Sequence, residues 1–244
     1  MVTRPCLIIG ASGDIGLAIA HKLIGNGIPV ALTHSPRSGP AASLADIGDK
    51  GKWYAVDVQD AKSVNQLVAN VQKDFKQSPN LVYTAGITRD AVLMRITDEK
   101  WDEVIATNLS GAFYAARALC RPLMEVSNGR IIFIGSVAAA RGNSGQLSYA
   151  ATKGALESMC RVIAMEMGRF GGTCNVVAPG AIDSRMLNEI PATLVDDFKK
   201  KIPLRRLGKT EDVASLVSFL LSEDGQYITG QSIYLDGGLT AVRP

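Results

Sequence analysis

Tyr149 and Lys153 stand four residues apart in Ser148-Tyr149-Ala150-Ala151-Thr152-Lys153, a stretch with helical spacing, so both side chains fall on one helix face. Ser136 lies 13 residues before the tyrosine, just past Arg130–Gly135, a run that reads as a β-strand. Open parallel sheets bind their ligands at the carboxyl ends of the strands. A phenol with an ordinary pKa of about 10 is a poor proton shuttle at neutral pH. Moving it toward 7 requires about 4 kcal/mol in favour of the phenolate. An ammonium about 4 Å away supplies roughly that at an effective dielectric near 20. The lysine is therefore expected to lower the tyrosine pKa. Such a pair also arises by chance in many helices, and it gains meaning only from what surrounds it.

A glycine-rich turn is the first of those surroundings. Ile8-Ile9-Gly10-Ala11-Ser12-Gly13-Asp14-Ile15-Gly16 comes after the first apolar run and opens the first helical pattern. Glycines at such a junction let the backbone approach a pyrophosphate, whose charge then meets the positive end of the helix. Asp14 is awkward beside a diphosphate and is read as a helix cap, a role aspartate fills well. Folds that bind NAD place an acid roughly 20 residues past the glycines to hold the ribose hydroxyls. Between Asp14 and Asp46 this chain has no acid; it reads Thr33-His34-Ser35-Pro36-Arg37-Ser38 there instead. Hydroxyls and a guanidinium suit a 2′-phosphate, so NADPH is the expected cofactor, with Ser35 and Arg37 at its phosphate. The plainer alternative is that Arg37 is a solvated loop residue. Asp57, with Val58 next to it, closes the third strand, where it either accepts a hydrogen bond from an adenine or caps the next helix.

The elements that must position these residues alternate along the whole chain. Strands are predicted at Cys6–Gly10, Pro29–Thr33, Lys52–Val56, Asn80–Thr84, Arg130–Gly135, Thr173–Ala178 and Ser232–Leu235. Helical patterns fall at Ile15–Ile24, Ala61–Phe75, Lys100–Met124, Ser148–Phe170 and Glu211–Leu221. In the third, Trp101, Val104, Ile105, Leu109, Ala112 and Phe113 share one face. This alternation implies right-handed crossovers and a single-domain, Rossmann-like, doubly wound parallel α/β sheet of seven strands with helices on both faces. The stretch from Pro179 to about Gly208 is too long for an ordinary connection and is expected to be a substrate lid over about 180–208.

With 244 residues, 47% hydrophobic and 20% charged, the chain fits one large domain spanning 1–244. A chain of that size buries roughly 70–75% of its unfolded surface and needs no metal or disulfide staple. A net charge of +3 without a basic run argues against nucleic acid. The four cysteines lack metal or redox spacing and only two histidines exist, so no metal site is expected. The opening Met1-Val2-Thr3-Arg4-Pro5 leads straight into the first strand, and no apolar run approaches roughly 18 residues. A cytoplasmic protein with no membrane partner is expected.

Taken together, these residues resemble the classical short-chain dehydrogenase/reductase family over nearly the whole chain. The match runs through Gly10–Gly16, Asp57-Val58, Ala85-Gly86, Asn108-Leu109-Ser110-Gly111, Ser136, Tyr149-x-x-x-Lys153 and Asn175-Val176-Val177-Ala178-Pro179-Gly180. Within the family the chain is most similar to 3-oxoacyl-(acyl carrier protein) reductases, through Ala85-Gly86-Ile87-Thr88-Arg89-Asp90, Gly142-Asn143-Ser144-Gly145-Gln146, Tyr227-Ile228-Thr229-Gly230 and Asp236-Gly237-Gly238.

The resemblance implies a tetrad. Tyr149 would protonate the carbonyl oxygen as the nicotinamide delivers hydride, Lys153 would depress the tyrosine pKa and hold the nicotinamide ribose, and Ser136 would polarise the carbonyl. Asn108 would position a water between Lys153 and solvent, or tie neighbouring strands together, the two roles being compatible. The cofactor would lie along Gly10, Ser12, Gly13, Asp14, Ile15, Gly16, Ser35, Arg37, Asp57, Val58, Ala85, Gly86, Pro179, Gly180, Ile182 and Ser184, and Gln146, Met186 and Leu187 would border the substrate. The implied reaction is NADPH-dependent reduction of a 3-oxoacyl thioester on acyl carrier protein, by a homotetramer paired through Gly111–Met124 and Tyr149–Phe170. Acetoacetyl-CoA or a free ketone is the alternative substrate, and a catalytically silent NADPH-binding scaffold the alternative class.

The chain departs from the family pattern at Ile9, where threonine is usual, at Asp14, where glycine is usual, and at Tyr83-Thr84, where asparagine precedes Ala-Gly. Val126-Ser127-Asn128 stands where fatty-acid reductases carry basic residues, which suggests a carrier from a polyketide or polyene pathway. An acidic carrier would then dock through Arg89, Arg95, Arg121, Arg130 or Arg169.

Overall fold

Short apolar runs form the middle of the sheet because both of their faces are buried. In Cys6–Ile9 (β1), Leu7 and Ile9 belong to one hydrophobic cluster, Cys6 and Ile8 to the other. The same division separates Leu81 and Tyr83 from Val82 in Asn80–Tyr83 (β4), and Ile131 and Phe133 from Ile132 and Ile134 in Arg130–Ile134 (β5). A strand apolar at every position needs helices on both sides, the signature of a parallel sheet. The computed structural model, which describes residues 4–41, 50–185 and 199–241, has that arrangement. Val30–His34 (β2), Gly51–Ala55 (β3), Thr173–Pro179 (β6) and Ser232–Leu235 (β7) complete seven parallel strands in the order β3-β2-β1-β4-β5-β6-β7. All seven predicted strands are present.

Asp14–Gly25 (α1) packs on one face of the sheet and Ala61–Phe75 (α2) on the other. The order of strands reverses between β1 and β4, so the crevice for a ligand opens where both of those strands end. Gly10, Ala85-Gly86, Ser136 and Gly180 come just after the carboxyl ends of β1, β4, β5 and β6, all on that edge.

The third helical pattern is not one helix. It divides into Asp98–Ile105 (α3), a π turn at Ala106–Ser110 and Gly111–Glu125 (α4). The wider turn rotates α4 relative to α3, so Phe113, expected on the buried face, is 43% exposed, while Asn108 is fully buried. The turn is held from outside. Tyr83 Oη donates to the Thr107 carbonyl at 2.5 Å, and Gln59 Nε2 donates to Thr107 Oγ1 at 2.8 Å. Gly111 leaves room for the tyrosine hydroxyl, which a Cβ there would meet.

Ala138–Arg141 (α5) is a short helix that apolar periodicity does not predict. Leu147–Gly168 (α6) carries Tyr149 and Lys153, and Thr210–Leu221 (α7) packs beside α1. Of the expected lid, Ile182 and Gly208 form a β-bridge, and 186–198, with Met186 and Leu187, lie outside the described residues. Among the described residues no helix is long and apolar enough to cross a membrane.

Tyr83→Phe should leave the buried Thr107 carbonyl without its hydroxyl partner and lower stability by about 1–3 kcal/mol in urea unfolding. An unchanged midpoint would show that the π turn stands without it.

Candidate active site and cofactor loop

Three elements bring the predicted tetrad together. Ser136 stands just past β5, and its hydroxyl accepts the Ala138 N–H at 3.1 Å, which fixes the turn into α5. The Tyr149 hydroxyl, in the first turn of α6, is buried beside Ser136, whose hydroxyl pulls its pKa down. Lys153 is 3% exposed; its Nζ donates to the Ile134 carbonyl at 2.7 Å and lies 5.4 Å from the centroid of the Tyr149 ring. The π turn delivers Asn108. Its Oδ1 accepts from the Ile87 N–H at 2.8 Å, and its Nδ2 donates to Ile87 O at 3.0 Å and to Thr152 Oγ1 at 3.2 Å. Asn108 therefore ties the loop after β4 to α6, rather than two neighbouring strands to each other. Its Oδ1 and Lys153 Nζ converge at Gly86, each 3.5 Å from where a Cβ would stand.

The charges differ from expectation. Burial pushes the Tyr149 phenol above its ordinary pKa, the Ser136 hydroxyl pulls it partly back, and the Asp90 carboxylate pushes it up again. The net shift is upward, so burial outweighs the depression expected from Lys153. Burial lowers Lys153 itself to about 8. Below that pH it keeps its charge; above it the charge is lost. The phenol is thus a protonated acid at neutral pH with a cation close to its ring. Asp90, which sequence reasoning did not single out, also accepts a hydrogen bond from Gln146 Nε2 at 3.2 Å, while Gln146 Oε1 accepts from Asn143 Nδ2 at 2.9 Å. This chain of polar groups places Gln146 at the start of the tyrosine helix.

The glycine loop answers its own departures from the family pattern. Gly10 takes φ +90°, and a Cβ there would stand 2.5 Å from the Ala85 nitrogen. Its N–H donates to Thr33 Oγ1 at 3.0 Å, and its carbonyl accepts from Thr84 Oγ1 at 3.1 Å and from the Gly13 N–H at 3.2 Å. Two threonine hydroxyls, from β2 and from the end of β4, thus hold the turn despite Ile9. Thr33, buried and engaged, is not available to a phosphate, whereas Ser35 bonds Ser38 (3.0 Å between hydroxyl oxygens) and Arg37 is exposed. Neither acid caps the helix expected of it. Gly13 is the N-cap of α1, which has no side-chain cap, and Asp14 instead pairs with Arg185 at 2.6 Å. Asp60 caps α2, while Asp57 accepts the Gln59 N–H at 3.0 Å in the preceding turn, across Val58.

Residues 10–240 match the family model described as Enoyl-(Acyl carrier protein) reductase. The chain is 39% identical over 237 residues, 97% of each chain, to 3-oxoacyl-(acyl-carrier-protein) reductase FabG of Salmonella typhimurium. To the protein of the same name from Escherichia coli it is 38% identical over 236 residues, again 97% of each. With 3-oxoacyl-(acyl-carrier-protein) reductase MabA of Mycobacterium bovis it shares 39% over 238 residues, 98% of this chain and 93% of that one. The chain belongs to the short-chain dehydrogenase/reductase family.

As a short-chain dehydrogenase/reductase it is an oxidoreductase acting on a ketone or alcohol group. The family implies a nicotinamide cofactor, and the residues present fit one. The first turn of α1 has no side-chain cap, and the loop before it is packed so closely that a Cβ on Gly16 would stand 2.5 Å from the Gly10 carbonyl. Free first-turn amides beside a glycine turn are what a diphosphate requires. On the other side of the crevice the Gly180 N–H donates to Leu235 O at 3.0 Å, Ile182 is buried, and Ser184 lines a cavity of about 350 Å³ with Asp14 and Arg185.

The basic residues expected to receive a carrier protein are not equivalent. Arg130 is 5% exposed and donates to the Gly129 and Gly171 carbonyls, so it cannot reach a partner. Arg89 is held by both oxygens of Glu103, and Arg121 pairs with Glu125. Arg169 lies 4.7 Å from the centroid of the Phe170 ring, and Arg95 is exposed beside Met94, itself 90% exposed.

In an NMR titration of ¹³C-labelled lysines, one resonance should titrate near pH 8, and it should vanish in Lys153→Met. A Lys153 signal that titrates with the surface lysines would contradict the burial argument.

Proposed function

We propose that the chain is an NADPH-dependent 3-oxoacyl thioester reductase whose substrate is carried on acyl carrier protein. The observation that carries this reading is the buried Lys153 ammonium, 5.4 Å from the centroid of the Tyr149 ring and bonded to the last residue of β5, with Ser136 just beyond that strand. The FabG and MabA relatives, each a 3-oxoacyl-(acyl-carrier-protein) reductase by name, supply the substrate class.

A bound NADPH supplies a hydride to the carbonyl carbon. Ser136 Oγ, on a turn fixed by the Ala138 N–H, hydrogen-bonds the carbonyl oxygen and draws charge onto it. The Tyr149 hydroxyl passes its proton to that oxygen. The phenol is protonated at rest, and the Lys153 ammonium close to its ring offsets the weaker acidity that burial gives it. The phenolate left behind gains the nearby Lys153 ammonium, and Asn108 holds the loop after β4 against α6 as this happens. Gln146 borders the substrate. Arg37, with Ser35, would hold the 2′-phosphate of the cofactor, Asp57 its adenine and Ser184 its nicotinamide end. Arg95 and Arg169 are the basic residues left to meet an acidic carrier. Apolar side chains exposed on α4 and α6, Phe113 and Met165 among them, fit burial in a homotetramer.

Tyr149→Phe should lower NADPH-dependent reduction of a 3-oxoacyl carrier protein by about 10²-fold or more while nucleotide binding persists. In the unmodified enzyme kcat/KM for reduction should be flat near neutrality and fall as pH rises past about 8, where Lys153 loses its charge. Retained turnover in the variant would contradict the role of the phenol. Activity on an enoyl thioester, with none on its 3-oxo counterpart, would move the reading toward the reaction named by the family model.

Arg37→Ala should weaken NADPH by about tenfold or more, the scale of a hydrogen bond to a charged group, and leave NADH binding nearly as it was. Equal losses for both nucleotides would remove Arg37 from the 2′-phosphate.

A further inference from the structure

Asp14 occupies the one place in the glycine loop where a negative charge should do most harm. It is the first residue of α1, next to the amides that a diphosphate needs. A carboxylate there ordinarily turns onto the free N–H groups of its own helix, which the helix dipole favours. It would then occupy the anion site and repel the ligand as well. Neither happens in this chain. Asp14 Oδ1 accepts from Arg185 Nε at 2.6 Å, and Oδ2 accepts from the Arg185 backbone N–H at 2.7 Å. Arg185 Nη2 also donates to the Ser12 carbonyl at 3.1 Å. Arg185 enters from beyond β6, and its approach is fixed because the Asp183 N–H donates to the Gly208 carbonyl at 2.8 Å.

We infer that Arg185 is the positioning residue that makes a carboxylate tolerable in this phosphate-binding turn: it holds both oxygens of Asp14 off the α1 amides and cancels their charge. The inference rests on the dinucleotide reading of the glycine loop. Fold stability does not account for the pair. The Arg185 side chain is 71% exposed, and ion pairs that open to solvent contribute little to stability. Their effect on a neighbouring anion is direct, since the unneutralised carboxylate would stand against the diphosphate itself.

The test is a double-mutant cycle on the full chain, read as dissociation constants for NADPH and NADH by fluorescence titration. Arg185→Ala should weaken both nucleotides by about tenfold, the scale of coupling between adjacent charged groups. The two should respond alike because they share the diphosphate. Asp14→Ala should tighten both. In the Asp14→Ala background the Arg185→Ala change should shift binding by less than about twofold, since no carboxylate is left to restrain. Melting temperatures without nucleotide should agree across the four proteins, separating a binding effect from damage to the fold. An unchanged affinity in Arg185→Ala would overturn the inference. So would an equal loss in both backgrounds, which would make Arg185 a direct ligand of the phosphates. If the unmodified chain bound neither nucleotide, the cofactor reading would fail first and the inference with it; binding without coupling would sink the inference alone.

Discussion

A lysine ammonium buried at the end of β5 is the constraint around which the site is arranged. Lys153 has the Ile134 carbonyl as its hydrogen-bond acceptor and the Tyr149 ring at 5.4 Å, and among the described residues it has no carboxylate salt bridge. A buried cation without a counter-ion is costly, and the lowering of Lys153 to about 8 expresses that cost. The fold tolerates it because the nearest groups that can develop negative charge are the ones the chemistry uses. A neutral phenol gains little from the ammonium; a phenolate gains much. The strain of the resting site is relieved as the proton leaves Tyr149, so stabilisation is directed to the transition state rather than to the ground state.

The surroundings serve that arrangement. Tyr83, two residues before Ala85-Gly86, holds the π turn through Thr107, and the π turn sends Asn108 inward to hold the loop after β4 against α6. The phosphate end works by a different logic. There the helix terminus is left open, and Thr33 and Thr84 brace the glycine turn from two sides. One edge of the sheet thus presents an open, positively polarised helix end and a buried ammonium, separated by the loops after β1, β4 and β5.

Much of this was legible in the sequence. Seven strands could be read because a strand buried on both faces is apolar at successive positions, as in Cys6-Leu7-Ile8-Ile9. Tyr149, Lys153 and Ser136 could be read because helical spacing and strand ends are local properties. The π turn was not legible, since Trp101 to Phe113 keeps a helical rhythm through it and the insertion depends on Tyr83, distant in the chain. Asp14 misled for the same reason. Its type and position say cap, but a partner 171 residues away takes both its oxygens. The sign of the Tyr149 shift was also out of reach, because a pairwise estimate includes the lysine and omits the burial. Arg130 looked like a surface cation until β5 placed it against the Gly129 and Gly171 carbonyls.

Reduction at this site requires one carbonyl oxygen to meet the Tyr149 and Ser136 hydroxyls together while Lys153 faces the phenol. The most direct measurement is a crystal structure of the chain with NADPH and an unreactive 3-oxoacyl thioester analogue. The analogue's ketone oxygen should lie within hydrogen-bond distance of both Tyr149 Oη and Ser136 Oγ, with its carbon at the reactive carbon of the nicotinamide. A ketone oxygen bound by other donors, with the Tyr149 hydroxyl turned away, would contradict it.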